Sequence, residues 1–139
     1  MKRAGVAPDV KLFSALISAC EEGLEYEKAF ELFDEMKRAG LMPNVITFNA
    51  LISACEKGLQ YEKAFEVFDD MKRAGLVPNV ITFNALISAC EKGLQYEKAF
   101  EVFYEMKRAG LVPNVITFSA LISACEKGRQ YQKALEVFD

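Results

Sequence analysis

Residues 36–70 read MKRAGLMPNVITFNALISACEKGLQYEKAFEVFDD, and residues 71–105 read MKRAGLVPNVITFNALISACEKGLQYEKAFEVFYE. The two stretches differ at three places: Met42 against Val77, Asp69 against Tyr104, and Asp70 against Glu105. Met1 opens an earlier, more divergent copy, and Met106 opens a fourth that runs to Asp139. A fixed period of 35 residues is the signature of a solenoid. A unit this small cannot bury its own apolar face and must stack on its neighbours. Function is thereby narrowed to recognition along a surface. Copies this alike point to an array built from a consensus.

Composition fits one elongated folded domain over residues 1–139. The chain is 52% hydrophobic, enough apolar material for a continuous core. Seventeen basic and twenty acidic residues leave a net charge of −3, which excludes a generally basic nucleic-acid coat or a polybasic membrane anchor. It leaves room for a local basic stripe. No apolar run reaches membrane-spanning length, and MKRAGVAPD has no signal-peptide apolar region, so no membrane partner or targeting segment is expected. Cysteines occur once per copy, at Cys20, Cys55, Cys90 and Cys125. Equivalent positions in stacked helices lie about 10 Å apart, too far for a disulfide. With no histidine in the chain, a metal site is not expected. The cysteines read as small buried hydrophobes.

Within each copy the punctuation marks two helices. Pro43-Asn44 fits a helix start with Asn44 as N-cap, and Gly58 stands where a left-handed residue would end that helix. A second helix is expected from about Gln60 to Ala74, stopped by Gly75 and Pro78, with Glu62 and Lys72-Arg73 complementing its dipole. In the first helix Phe48, Leu51, Ile52 and Cys55 form the core stripe, and Thr47, Ala50 and Ala54 a small-residue side for close packing. Ile46, Asn49, Ser53 and Lys57 fall opposite the core. In the second helix Tyr61, Ala64, Phe65, Phe68 and Met71 face inward, and Glu62, Glu66, Asp69, Asp70 and Arg73 face solvent.

Stacking turns these positions into rows. Asn49 falls beside Asn84, flanked by Ser14 and Ser119. Ile46, Ile81 and Ile116 form a second row, with Lys11 in the equivalent place of the first unit. Lys57, Lys92 and Lys127 form a third. Amides, flat apolar side chains and ammonium groups match the edge, face and phosphate of a nucleotide. The alternative is that they are merely the exposed side of a stacked array.

The run VITFNALISACEKGLQYEKAFEVFDDMKRAGLVPN resembles the pentatricopeptide repeat, a 35-residue helical hairpin. The resemblance rests on the aromatic-Asn-x-Leu-Ile start, the Ala-Phe...Phe...Met run of the second helix, and the Gly-x-x-Pro-Asn ending. It covers essentially the whole chain: 1–9 as the tail of a preceding repeat, units at 10–44, 45–79 and 80–114, and an incomplete one at 115–139. The related tetratricopeptide repeat has a 34-residue period and an early Trp-Leu-Gly-Tyr pattern that is missing here. The resemblance implies an all-α, right-handed superhelical solenoid that binds single-stranded RNA, one base per repeat.

By the family's code the fifth residue of a unit acts with its last. The pairs are Ser14 with Asn44, Asn49 with Asn79, and Asn84 with Asn114. Ser with Asn resembles an adenine reader, and Asn with Asn a pyrimidine reader that favours cytosine, which implies 5′-A-C/U-C/U-3′. Ser119 has no terminal partner in its incomplete unit. Ile46, Ile81 and Ile116 stand where the family clamps each base, and Lys57, Lys92 and Lys127 where phosphate contacts are expected. The first unit departs from the pattern, with Lys11 at the clamp and Glu22 where the later units carry lysine. The alternative for Asn44, Asn79 and Asn114 is that they are helix caps alone.

No cofactor and no catalysis are expected. Ser18, Ser53, Ser88 and Ser123 have no histidine to activate them, and Glu66 and Asp70 lie on a solvated face. The rival to RNA binding is a structural or protein-binding scaffold, although a peptide groove has no need of the same amide in successive units. Self-association is the remaining expectation. Phe13 and Leu16 at one end, and Leu135 and Phe138 at the other, should be partly exposed and promote head-to-tail stacking.

Overall fold

The computed structural model describes residues 9–22 and 25–136. Its elements are α1 (Val10–Glu22), α2 (Tyr26–Arg38), α3 (Val45–Lys57), α4 (Tyr61–Arg73), α5 (Val80–Lys92), α6 (Tyr96–Arg108), α7 (Val115–Lys127) and α8 (Tyr131–Glu136). All are helices, paired into an α-solenoid. Each odd-numbered helix packs closely on the next odd-numbered one, whereas the backbones of α2, α4 and α6 approach their own partner and the first helix of the following unit, and the even helices meet one another through long side chains such as Lys72 and Glu105. The odd helices therefore form a close inner row from which the even helices fan apart. Among the described residues no helix is long and apolar enough to cross a membrane.

Both kinds of helix start and stop for local reasons. Asn44, Asn79 and Asn114 cap α3, α5 and α7: each side-chain oxygen accepts from the backbone N–H of the threonine three residues on, whose hydroxyl accepts in return from the cap's own N–H. The even helices end as the sequence predicts. Gly75 takes φ +80°, while Gly75 N–H and Leu76 N–H return to the carbonyls of Lys72 and Met71.

Helices α3, α5 and α7 end differently from expectation. Gly58 has φ −84°, and the left-handed residue is Leu59, at φ 59°. The same holds for Leu94 and Arg129. Glycine is needed at 58 for space: a Cβ there would lie 2.7 Å from Tyr26 Cδ1, and at Gly93 2.6 Å from Tyr61 Cδ1. The ring of one unit thus lies against the bare backbone of the next.

Burial follows the predicted stripes. Phe48, Leu51, Ile52, Cys55, Ala50 and Ala54 are buried in α3, and Ala64, Phe68 and Met71 in α4, joined by Val67. Phe33 meets Phe48, Phe68 meets Phe83, and Phe103 meets Phe118 edge-on, with centroids 5.4, 5.6 and 5.9 Å apart. This repeated edge-to-face pair ties each even helix to the next odd one. All four cysteines are buried thiols. The expectation of an exposed first end fails at Phe13, which is fully buried. Leu16 is half-buried, Leu135 is exposed, and Phe138 lies outside the described residues.

Candidate nucleic-acid interface

The inner row carries most of the residues that the sequence singles out. Ile46, Ile81 and Ile116 are more than half exposed, at 66, 62 and 61%. Lys11 is exposed in the corresponding place of the first unit. An open cleft of about 690 Å³ is lined by Lys11, Ser14, Asn44 and Ile46. A smaller one, about 210 Å³, is lined by Ile46, Asn49, Ser53 and Ile81. Successive clamp positions therefore flank slots whose floors hold the fifth residue of a unit.

The fifth residues sit deeper than their phase suggests. Asn49 and Asn84 are only 7 and 8% exposed, and Ser14 is buried with them. The cause is the close stacking of the inner helices, which brings a threonine of the next unit over each of them. Asn49 Nδ2 donates to Asn79 Oδ1 at 3.1 Å, and its Oδ1 accepts from the Thr82 hydroxyl. Asn84 repeats this with Asn114, at 3.1 Å, and Thr117. In the first unit Ser14 Oγ lies 2.7 Å from Thr47 Oγ1, and Thr47 in turn reaches Asn44 Oδ1 at 3.0 Å. In the three complete units the fifth residue is thereby joined to the last residue of its own unit, directly or through threonine. Asn44, Asn79 and Asn114 are caps and members of this network at once. Ser119 is exposed on α7.

Threonines 47, 82 and 117 are fully buried and went unrecognised as network members in the sequence, although Asn-x-x-Thr is itself a capping-box pattern. Carboxylates beside the lysine row were also missed. Lys57 pairs with Glu21 at 3.6 Å, Lys92 with Glu56, and Lys127 with Glu91, each lysine reaching back to the preceding unit. The 36-residue spacing of these pairs becomes readable once the period is known. The row is thus a ladder of ion pairs rather than a bare positive stripe.

Burial acts on the thiols beneath this surface. Desolvation pushes Cys55 and Cys90 up to about 12, and raises Cys20 and Cys125. They are inert core groups at neutral pH. No cluster of metal-ligating side chains occurs among the described residues.

A family model described as a pentatricopeptide repeat domain matches residues 1–58, 66–128 and 101–139, and a PPR repeat model matches residues 46–76. No curated protein matches the chain. Among solved structures, the pentatricopeptide repeat protein PPR10 in complex with an 18-nt psaJ RNA element is 28% identical, with a TM-score of 0.86 over 98% of this chain and 20% of that one. A structure of PPR10 from maize gives 21% identity and a TM-score of 0.80 over the same shares, 98 and 20%. The PPR domain of Arabidopsis thaliana protein-only RNase P 1, in complex with tRNA, is 20% identical, with a TM-score of 0.76 over 99% of this chain and 76% of that one. The chain spans about a fifth of the length of PPR10. With family matches over most of its length, on an all-helical solenoid of stacked hairpins, the chain belongs to the pentatricopeptide repeat family.

Proposed function

We propose that the chain is a non-enzymatic module that binds single-stranded RNA along its inner row, one base per complete unit, with 5′-A-C/U-C/U-3′ as its target. The observation that carries this reading is the Asn49–Asn79 hydrogen bond, repeated as Asn84–Asn114. It joins residues 30 apart in sequence at the floor of a slot flanked by two exposed isoleucines. A base entering such a slot gains apolar contact on both faces and meets amide groups at its edge. Ser14 and Asn44 take the corresponding role beside Lys11 and Ile46. The RNA complex of PPR10 supports the same use of the surface here.

Lys57, Lys92 and Lys127 are the phosphate contacts in this reading. Each must exchange a carboxylate for a phosphate, so the net electrostatic gain per lysine is reduced. Stacking contributes about 1–3 kcal/mol per base, hence roughly 3–9 kcal/mol for three bases before ordering costs. Binding is therefore millimolar to micromolar. Titration of short homopolymeric RNAs at low salt tests the proposal: cytosine-rich RNA should bind more tightly than purine-rich RNA. Equal binding of all homopolymers, or binding of peptides in their place, would favour the scaffold reading.

A further inference from the structure

The two asparagine slots contain a chain of hydrogen bonds whose direction is fixed by the backbone. Thr82 N–H donates to Asn79 Oδ1 at 3.1 Å, and a backbone amide can only donate. Asn49 meets that same oxygen at 3.1 Å and must present its nitrogen to it. The other end of the Asn49 amide is then its oxygen, and this faces the Thr82 hydroxyl. Thr82 Oγ1 accepts the backbone N–H of Asn79 at 3.1 Å, which leaves its single proton to give. That proton has two oxygens in reach, and Asn49 Oδ1 is nearer than Asn79 Oδ1, at 3.1 Å. The ring of bonds closes on itself. Asn114, Thr117 and Asn84 reproduce it at the next junction.

From this we infer that Thr82 and Thr117, which belong to the following units, are positioning residues for recognition by Asn49 and Asn84. Their backbone N–H groups set which end of each reading amide meets the last asparagine, and their hydroxyls engage the oxygen at the other end. The inference rests on the RNA reading proposed above and adds a third residue to each slot. With Asn79 Oδ1 filled by two donors and Asn49 Oδ1 turned to the Thr82 hydroxyl, the remaining N–H groups of the two amides are what the slot chiefly offers a ligand. Such a slot favours a base edge carrying adjacent acceptors. Cytosine has them in N3 and O2, whereas uracil presents an N3–H that opposes a donor. Thr47 cannot impose this on the first unit, because Ser14 and Thr47 each carry a hydroxyl that gives or takes a proton.

The test has one arm without RNA and one with it. In the unmutated chain, NMR should show the Asn49 and Asn84 side-chain amide protons exchanging much more slowly than those of an exposed asparagine. Thr82→Val should release Asn49 alone, and Thr82→Ser should restore it. Rapid exchange at Asn49 in the unmutated chain overturns the inference even if the valine variant does not fold. In the RNA arm, cytosine is exchanged for uracil at the base facing each unit. Thr82→Val should lower cytosine preference about fivefold at the Asn49 unit, the worth of one net hydrogen bond, and leave the Asn84 unit unchanged. Equal loss at both units, or no loss at either, rules out the positioning role. Slow amide exchange in a chain that shows no base preference upholds the orienting role of Thr82 and removes the RNA reading instead.

Discussion

The first and second junctions of the array are made by equivalent helices and differ at their polar centre. At the first, between α1 and α3, Ser14 makes one side-chain bond, to Thr47, and stops short of Asn44. At the second, between α3 and α5, Asn49 bonds to both Asn79 and Thr82. The flanking clefts differ as well, about 690 Å³ against about 210 Å³. A single side-chain length decides whether the fifth and last residues of a unit touch. Repetition supplies the scaffold, and departures from repetition set what each junction can do.

The largest effect that separates interior from ends is expected at alkaline pH. Cys55 and Cys90 lie in the middle of the array, and desolvation holds their folded-state values near 12 against an ordinary 9.0. Above pH 9 an unfolded chain releases these two protons while the folded chain keeps them. The folded state then binds more protons than the unfolded one, so stability falls as pH rises. For two thiols the loss is about 3 kcal/mol between pH 8 and pH 10. Urea unfolding at the two pH values measures it. The Cys55→Ala, Cys90→Ala double variant should lose much of the pH dependence, whereas Cys20→Ala should change it little. An unchanged slope in the double variant would remove the burial argument. Thiol labelling of the native chain should likewise be slow at Cys55 and Cys90.

The polar centres themselves come next. Asn49→Ala breaks two bonds in a buried setting, to Thr82 and to Asn79, and although the Thr82 hydroxyl can turn to Asn79 it should cost about 1–3 kcal/mol. Ser14→Ala breaks one bond whose partner can still turn to Asn44, and should cost nearer 0.5–1.5 kcal/mol. Denaturant midpoints at constant m-value give both numbers. Equal costs would mean that the two junctions are energetically the same despite their different networks.

Ser14→Asn tests whether one residue converts the first junction into the second. The new amide should reach Asn44 and Thr47 as Asn49 reaches Asn79 and Thr82. Base preference of the first unit should then move from adenine towards cytosine by roughly tenfold, about 1.4 kcal/mol. The converse change, Asn49→Thr with Asn84→Thr, should move the two later units towards adenine. Fluorescence titration with three-base RNAs reads both. Persistence of the original preferences in both variants would end the assignment of these positions as readers.

Much of this architecture was legible in the sequence because a repeat shows each signal several times. The 35-residue period, the asparagine caps, the left-handed Gly75 and the core stripes of Phe48, Leu51, Ile52 and Cys55 all follow from local chemistry. What stayed hidden depends on the distance between stacked units. Helical phase places Asn49 on the outer side of α3, but only the approach of α5 shows that Thr82 covers it. Gly58 looked like a left-handed cap, yet its role is to admit Tyr26 of the preceding unit. Lys57 and Lys92 looked unpaired until Glu21 and Glu56 were placed one unit back. Local rules set each hairpin, and the contacts between hairpins set the chemistry of the surface.

The smallest expected effect concerns the outer side of the same two junctions. Lys72 reaches across to Glu105 at 3.5 Å, tying α4 to α6. At the first junction the corresponding acid is Asp70, one methylene shorter, which pairs with Arg73 on its own helix, while Lys37 stays near Asp34 at 3.9 Å. Beneath them lies a cleft of about 640 Å³ lined by Phe33, Lys37, Leu41, Phe48, Asp70 and Leu76. Asp70→Glu should extend the carboxylate to Lys37 across the mouth of that cleft and reproduce the Lys72–Glu105 bridge. Both partners of that bridge are partly exposed, at 45 and 40%, so the gain is no more than about 0.5 kcal/mol and should shrink with added salt. A double-mutant cycle between Asp70→Glu and Lys37→Met isolates it. Coupling that is absent at low salt would show that the reach of the acid is not what distinguishes the two junctions on this face. The backbone spacing of α2 and α4 would then be the cause.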